Sequence, residues 1–279
     1  LDERWLLSLY GLYQRFDGET DRRAFGAEGR YLGDSVTAYS LLDYDTYFDE
    51  LNIFYLFGNW RIQEGTVASL TMDYRRSPGL ALSNALYSVG ADDFDDLGPG
   101  LSDGDLERLA KDRSLIYRSL YASLTQQLND RWQLLLDGGL YSLRDDSGAP
   151  DSDSLDSDDW YVYGQVMGTG LFKTRDLYSA GLRDTDAERM DITSVLLRAR
   201  VPVRERWQVT PRLRMDFRDR DDGNDQRMLI PSLFTSYRLT KRTSLELDAG
   251  IEFSRTEENL GGDRDDRFFY LSAGYRHDF

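Results

Sequence analysis

Arginines recur at alternate positions through the C-terminal half of the chain: Arg198 and Arg200, then Arg212, Arg214 and Arg218, with Arg238 and Arg276 further on. Glu246, Asp248 and Glu252 stand among them, also an even number of positions apart. Two is the repeat of a β-strand, so each set falls on one strand face. Guanidiniums and carboxylates gathered on such a face can do one of two things. They can pair across neighbouring strands and hold them together. Alternatively, they can line water and impose a transverse field on ions. The sequence leaves both open. Glu28, Arg30, Asp73, Arg75 and Asp137 occupy the equivalent face of earlier segments.

Other chemistries are excluded by what the chain lacks. It has no cysteine and one histidine, His277. A Ser-His-Asp triad with a central base, an HExxH metal site and a cysteine-based zinc site are therefore not expected. His277 lies in the last strand-like segment, on the apolar face, far from the long loops. Paired carboxylates are abundant by composition alone, so no catalytic residue, cofactor or metal site is assigned. A formal net charge of -16 argues against nucleic acid as a partner.

These charges must be positioned by strands. Alternation recurs along nearly the whole chain, and 18 Tyr, 13 Phe and 5 Trp suit strands. The segment 242–254 is the clearest case. Thr243, Leu245, Leu247, Ala249, Ile251 and Phe253 fall on one side, and Ser244, Glu246, Asp248, Gly250, Glu252 and Ser254 on the other. Strands are expected at 4–14, 22–33, 35–44, 50–62, 66–76, 115–128, 131–144, 159–173, 175–183, 188–201, 206–218, 226–239, 242–254 and 267–279. The count is even, as a closed antiparallel single-chain barrel requires. Pro231, inside one of these strands, is expected to mark a bulge. No apolar run has the length of a transmembrane helix, which says nothing against crossing a membrane with strands. The opening LDERWLLSLYGLYQRF already alternates, so the expectation is a mature chain or a fragment of a longer one.

Short and long connections are expected to alternate, with GD, QEG, LND, KTR, VPVRER and TKR on one rim. ETD, DYDTYFD, 77–114, DDSGAPDSDSLDSDD, TDAE, RDDGND and TEENLGGDRDD fall on the other. Short periplasmic turns and long outer loops are the pattern of outer-membrane barrels. The fold class expected is thus an all-β, closed antiparallel transmembrane barrel of about 14 strands, with 12 or 16 as the alternatives, a single domain over 1–279. Its location would be the bacterial outer membrane, with both termini periplasmic. Residues 145–159 hold seven Asp and no basic residue, so the acidity belongs mostly to the outer rim. No EF-hand spacing is present there. Ser102 and Asp105 in SDGDLERLAKDRS form a candidate capping box before a short helix in the long 77–114 loop. The loop could enter the mouth or lie on the rim.

Trp5, Tyr13, Trp132, Trp207, Tyr237 and Tyr275 are expected to form aromatic girdles at the two membrane edges. Outer-membrane lipid and lipopolysaccharide would then surround the chain.

The order SPGLALSNALYS, LSDGDLERLAKDRS, GTGLF, PRLRMDFRDRDDG, PSLFTSYRL and YLSAGYRHDF resembles the C-terminal barrel of large proteobacterial envelope proteins. In these, periplasmic repeats, often tetratricopeptide-like, precede the barrel. The resemblance spans roughly 66–279 and implies a membrane module attached to, or working with, a periplasmic repeat domain. Exopolysaccharide exporters share that plan, and porins share the barrel; this sequence has no repeat region of its own. Leu271, Tyr275 and Phe279 are similar to the terminal signal read by the barrel-assembly machinery. The functions expected are a passive pore or membrane anchor, with polymer export and a non-conducting anchor as alternatives.

Overall fold

The computed structural model describes residues 3–88, 91–94, 96, 101–145, 157–257 and 261–277. Its strands are β1 (Trp5–Phe16), β2 (Glu19–Leu32), β3 (Val36–Asp45), β4 (Glu50–Gln63), β5 (Thr66–Ser77), β6 (Leu115–Gln127) and β7 (Trp132–Asp145). They continue with β8 (Ser157–Thr169), β9 (Leu177–Ala187), β10 (Met190–Arg204), β11 (Trp207–Arg220), β12 (Asp225–Arg238), β13 (Thr243–Glu257) and β14 (Arg264–His277). One 14-stranded sheet takes them in chain order, each bonded to its sequence neighbour. Among the described residues, no pairing of β14 back onto β1 is recorded. The expected number of strands is observed, and their order is the up-and-down order of an antiparallel barrel.

Tertiary contacts divide the chain into two units: Leu1–Ala122 with Gly139–Asp159, and Ser123–Gly138 with Trp160–Phe279. In the first, Tyr10 stands opposite Gly26, and Gly26 opposite Asp43. Their face is polar. The other face carries Leu7, Leu9, Phe25 and Trp60, all exposed, with Leu9 at 85%. In the second unit the apolar face carries Leu182, Leu197, Leu233, Leu247, Ile251 and Leu271, again exposed. On β13 the apolar stretch from Leu245 to Phe253 spans about 26 Å of strand, or about 20 Å of height at the usual barrel tilt of about 40°. Beyond it the same face turns charged: Asp184, Asp191, Asp219, Arg227, Arg255 and Arg267. The strands outrun their apolar belt.

Three sequence expectations need correction. The connections do not alternate strictly in length. ETD and TDAE belong largely to strands, leaving two-residue turns at Asp17–Gly18 and Glu188–Arg189. Asp17 and Gly18 both have positive φ, 47° and 83°, the backbone that a tight hairpin needs. Acidic composition reads as loop, yet above the belt a strand has no need of apolar side chains. Likewise, VPVRER is mostly strand, since β10 runs to Arg204. The third is Pro231, which sits in unbroken register opposite Leu213. On its β13 side the paired positions step from Leu229–Phe253 to Ser232–Gly250 without a shift. Register shifts occur instead at Gln14/Arg15, Asp43/Tyr44, Arg61/Gln63 and Pro202/Arg204.

Inward tyrosines cover inward glycines. A Cβ on Gly26 would lie 2.1 Å from the ring of Tyr10, and one on Gly250 would lie 2.5 Å from that of Tyr270. The missing side chain gives the ring a seat against the backbone, as aromatic rescue of sheet glycines does. Gly250→Val should unseat Tyr270 and cost the detergent-folded protein about 1–3 kcal/mol in urea unfolding. A Cβ on Gly274 meets nothing within 4 Å, so Gly274→Val should stay within about 0.5 kcal/mol of wild type.

Candidate functional site

The charged positions expected to act together in the second unit share the polar face of β10 to β14. Arg198 stands directly opposite Arg212, Glu246 opposite Ser236, and Asp248 opposite Phe234. Arg276 is opposite Ser244 on β13. Arg238, at the end of β12, lies on the same face.

Some of these charges are paired. Arg212 Nη2 lies 2.7 Å from Asp248 Oδ2, and its guanidinium carbon sits 5.7 Å from the ring centre of Phe234. Arg214 and Arg218 converge on Asp216, at 2.7 and 3.4 Å, and Ser194 donates to it at 2.8 Å. The Asp216 side chain is 0% exposed. It is the hub of the face, and the sequence reading gave it no role. Its position was visible by alternation, but its partners depend on the β10–β11 register. Arg218 also donates to Gln226, which in turn donates to Ser254. Other charges on this face stand apart. Arg198, Arg200, Glu246 and Glu252 have no hydrogen-bond or ion-pair partner among the described residues. Charge pairing and a charged lining therefore coexist on the same strands.

Two further clusters were not anticipated. On the polar face of the first unit, Arg22 bonds both Asp43 and Asp45, the latter at 3.2 Å. Tyr10 donates to Asp43 at 2.7 Å. In the second unit, Tyr161 hydrogen-bonds to Asp137 beneath the guanidinium of Arg183, 4.5 Å from the Tyr161 ring centre. Of the remaining expected inward charges, Asp73 and Arg75 pair with each other. Glu28 and Arg30 occupy polar-face positions of β2.

The connection between β5 and β6 is built on the polar face. Asp21 and Asn52 are the extra residues at two of the register shifts, and a bulge can re-aim a side chain. Asp21 accepts from the Ser83 amide at 2.8 Å. Asn52 accepts from Leu80 at 3.2 Å and donates to Asp43 at 3.1 Å. Glu50 bonds both Lys111 and the buried Arg76. Above these moorings, Phe48, Leu80, Leu82, Ala85 and Ala110 form a small apolar core. It joins the β3–β4 turn to a 3-10 helix, Leu82–Ser88, and to helix α1, Asp103–Lys111. The capping box is as expected. Asp105 accepts from the Ser102 hydroxyl at 2.7 Å and from its amide at 3.1 Å. These bonds hold the Asp105 carboxyl below the usual carboxylate range. Burial against this core pushes the Tyr47 hydroxyl up.

At the other rim, Asp176 organises the β8–β9 turn. It accepts from the amides of Leu171, Phe172 and Lys173 at 2.7–2.9 Å. Burial opposes its ionisation, but these bonds outweigh it and keep its carboxyl low. His277 is at this rim on the apolar face, 2.9 Å from the Thr243 hydroxyl. Of the residues expected to carry the assembly signal, Leu271 and Tyr275 are exposed on the apolar face, at 61% and 77%. Phe279 lies outside the described residues.

No family model and no curated protein matches the chain. Solved structures similar to it include a bacterial polysaccharide outer membrane secretin, at 12% identity and a TM-score of 0.49, over 99% of this chain and 85% of that one. An anion-selective porin from Comamonas acidovorans aligns at 11% identity and TM-score 0.44, over 99% and 100%. Outer-membrane expressed OmpT of Vibrio cholerae aligns at 11% identity and TM-score 0.40, over 99% and 98%. Likeness this distant assigns no function to the chain.

Two outcomes follow from this geometry. Asp216→Ala should strand Arg214 and Arg218 and cost about 1–3 kcal/mol in urea unfolding, with Asp216→Asn costing less because it still accepts from Ser194. Asn52→Leu removes two hydrogen bonds under the β5–β6 connection. Trypsin should then cut at Arg108 or Lys111 about tenfold faster, while the β-sheet circular dichroism signal stays unchanged.

Proposed function

We propose that this chain is a bacterial outer-membrane β-barrel, closed by pairing β1 with β14, with a water-filled, charged lumen. It acts as a passive pore, narrowed on the β1–β5 side by the residues between β5 and β6. The observation that carries the reading is the contrast between the faces of β10 and β13. Leu197, Leu245, Leu247 and Ile251 are exposed on one side, while Arg198, Arg200, Glu246 and Glu252 stand unpartnered on the other. An apolar face this extensive is unfavourable in water. Unpaired charges at the same height are unfavourable in a dry interior. Lipid outside and water inside satisfy both.

In this orientation the short-turn rim, where β1 starts and β14 ends, is periplasmic, and the charged strand ends stand in the outer leaflet headgroups and beyond. Lipopolysaccharide and the barrel-assembly machinery are the partners this implies. The resemblance to repeat-bearing envelope proteins supports a membrane module serving a larger assembly. A non-conducting anchor is favoured by one observation, the pairing of Arg212 with Asp248 and of Arg214 and Arg218 with the single Asp216. The reading is not catalytic, since the only histidine lies at the membrane edge on the lipid side.

Planar-bilayer recording tests it. Wild-type protein, folded in detergent, should open discrete channels. Arg198→Glu with Arg200→Glu should move the reversal potential in a salt gradient toward cations. Folded protein that stays silent, even with residues 81–112 deleted, would overturn the pore in favour of the anchor.

A further inference from the structure

The unpartnered arginines of β10 have a more specific surrounding than a charged wall. One rung of the polar face reads Ser179, Arg198, Arg212, Ser232 across β9 to β12. Like charges directly opposite in a sheet repel. Arg212 leans away from its neighbour, over Phe234 and onto Asp248. Arg198 has no such escape. The polar-face positions of β9 beside it are Leu177, Ser179, Gly181 and Arg183, none of them acidic. Of the carboxylates on this face, Asp216 is held by Ser194, Arg214 and Arg218, and Asp248 is held by Arg212 through Oδ2.

Arg200 is in the same situation one step along. The register is continuous from Arg198–Arg212 to Val201–Val209, which sets Arg200 opposite Thr210. Thr210 is 1% exposed, and its hydroxyl has no hydrogen-bond partner. The Nε of Arg212 is likewise buried without one. Unsatisfied buried donors are costly. Here two of them lie beside two guanidiniums that also lack acceptors; one buried acceptor, Asp248 Oδ1, is also open, on a carboxylate whose other oxygen already holds Arg212.

We propose that Arg198, Arg200, Arg212 and Thr210 form a binding site for a small anion bearing carboxylate or phosphate oxygens. Guanidiniums in pairs hold such oxygens through charge-assisted hydrogen bonds, and the hydroxyl of Thr210 supplies one more donor. In a chain whose net charge is -16, this cluster selects anions against the protein's own field. The site rests on the reading of this face as a lumen, but binding does not require that the lumen conduct.

Isothermal titration of the detergent-folded protein at low salt tests the site, with inorganic tripolyphosphate and citrate as separate probes. At least one should bind saturably, and the one that binds names the oxygen class. Arg198→Gln with Arg200→Gln should weaken binding by about tenfold or more. Thr210→Val should weaken it several-fold, and Arg242→Gln, in a turn, should leave it unchanged. Binding of neither probe, or equal binding by the double variant, would overturn the site. A protein that binds in this arginine-dependent way yet stays silent in bilayers would keep the site and lose the pore. A protein that conducts without binding would lose the site alone.

Discussion

A sheet in a membrane has to satisfy each backbone N–H and C=O within itself, because lipid offers no partner. The next-neighbour ladder from β1 to β14 is the form that this constraint takes here. Once the ladder is fixed, each residue is assigned to one of two faces, and chemistry follows from that assignment. Leu197 and Arg198 are adjacent in the chain and face opposite media. The same rule explains why a protein of mean hydropathy -0.58 can present an apolar face in each of its two units. Half of each strand, and the strand ends beyond the belt, are free to be polar.

On the polar face, a balance between neutralisation and exposure decides the character of the lining. Asp216 gathers Ser194, Arg214 and Arg218 and stiffens β10 against β11. Asp248 reaches across β12 to hold Arg212. Had every charge been matched in this way, the face would serve cohesion alone. Arg198 and Arg200 on one side, with Glu246 and Glu252 three strands away, are not matched. At about 4.8 Å per strand, that separation is about 14 Å, too far for direct contact between these groups.

The sequence made the strands legible because period-two alternation is a strong signal over 10 to 15 residues, and segments such as 242–254 show it without interruption. Strand ends were less legible. TDAE and ETD look like loops, since a strand that has left the membrane no longer alternates in hydropathy. Individual charges could be placed on a face but not matched to partners, because pairing depends on register between strands. Arg198 opposite Arg212 is a fact about two segments at once. Asp21 and Asn52 were invisible for a related reason, as one extra residue in a strand leaves no compositional trace. The capping box at Ser102 and Asp105 was readable, being a local motif of four residues.

Those two extra residues have a consequence for how such a protein changes over generations. A bulge adds one residue without altering which neighbours point to lipid, so it can be gained or deleted while the belt stays intact. Two of the moorings for the segment between β5 and β6, Asp21 and Asn52, are of this kind. The hold on that segment can therefore be tightened, loosened or replaced by single-codon insertions and deletions that would be ruinous elsewhere in the same strands. Selection on the segment that these residues hold and selection on the apolar belt act on separable positions.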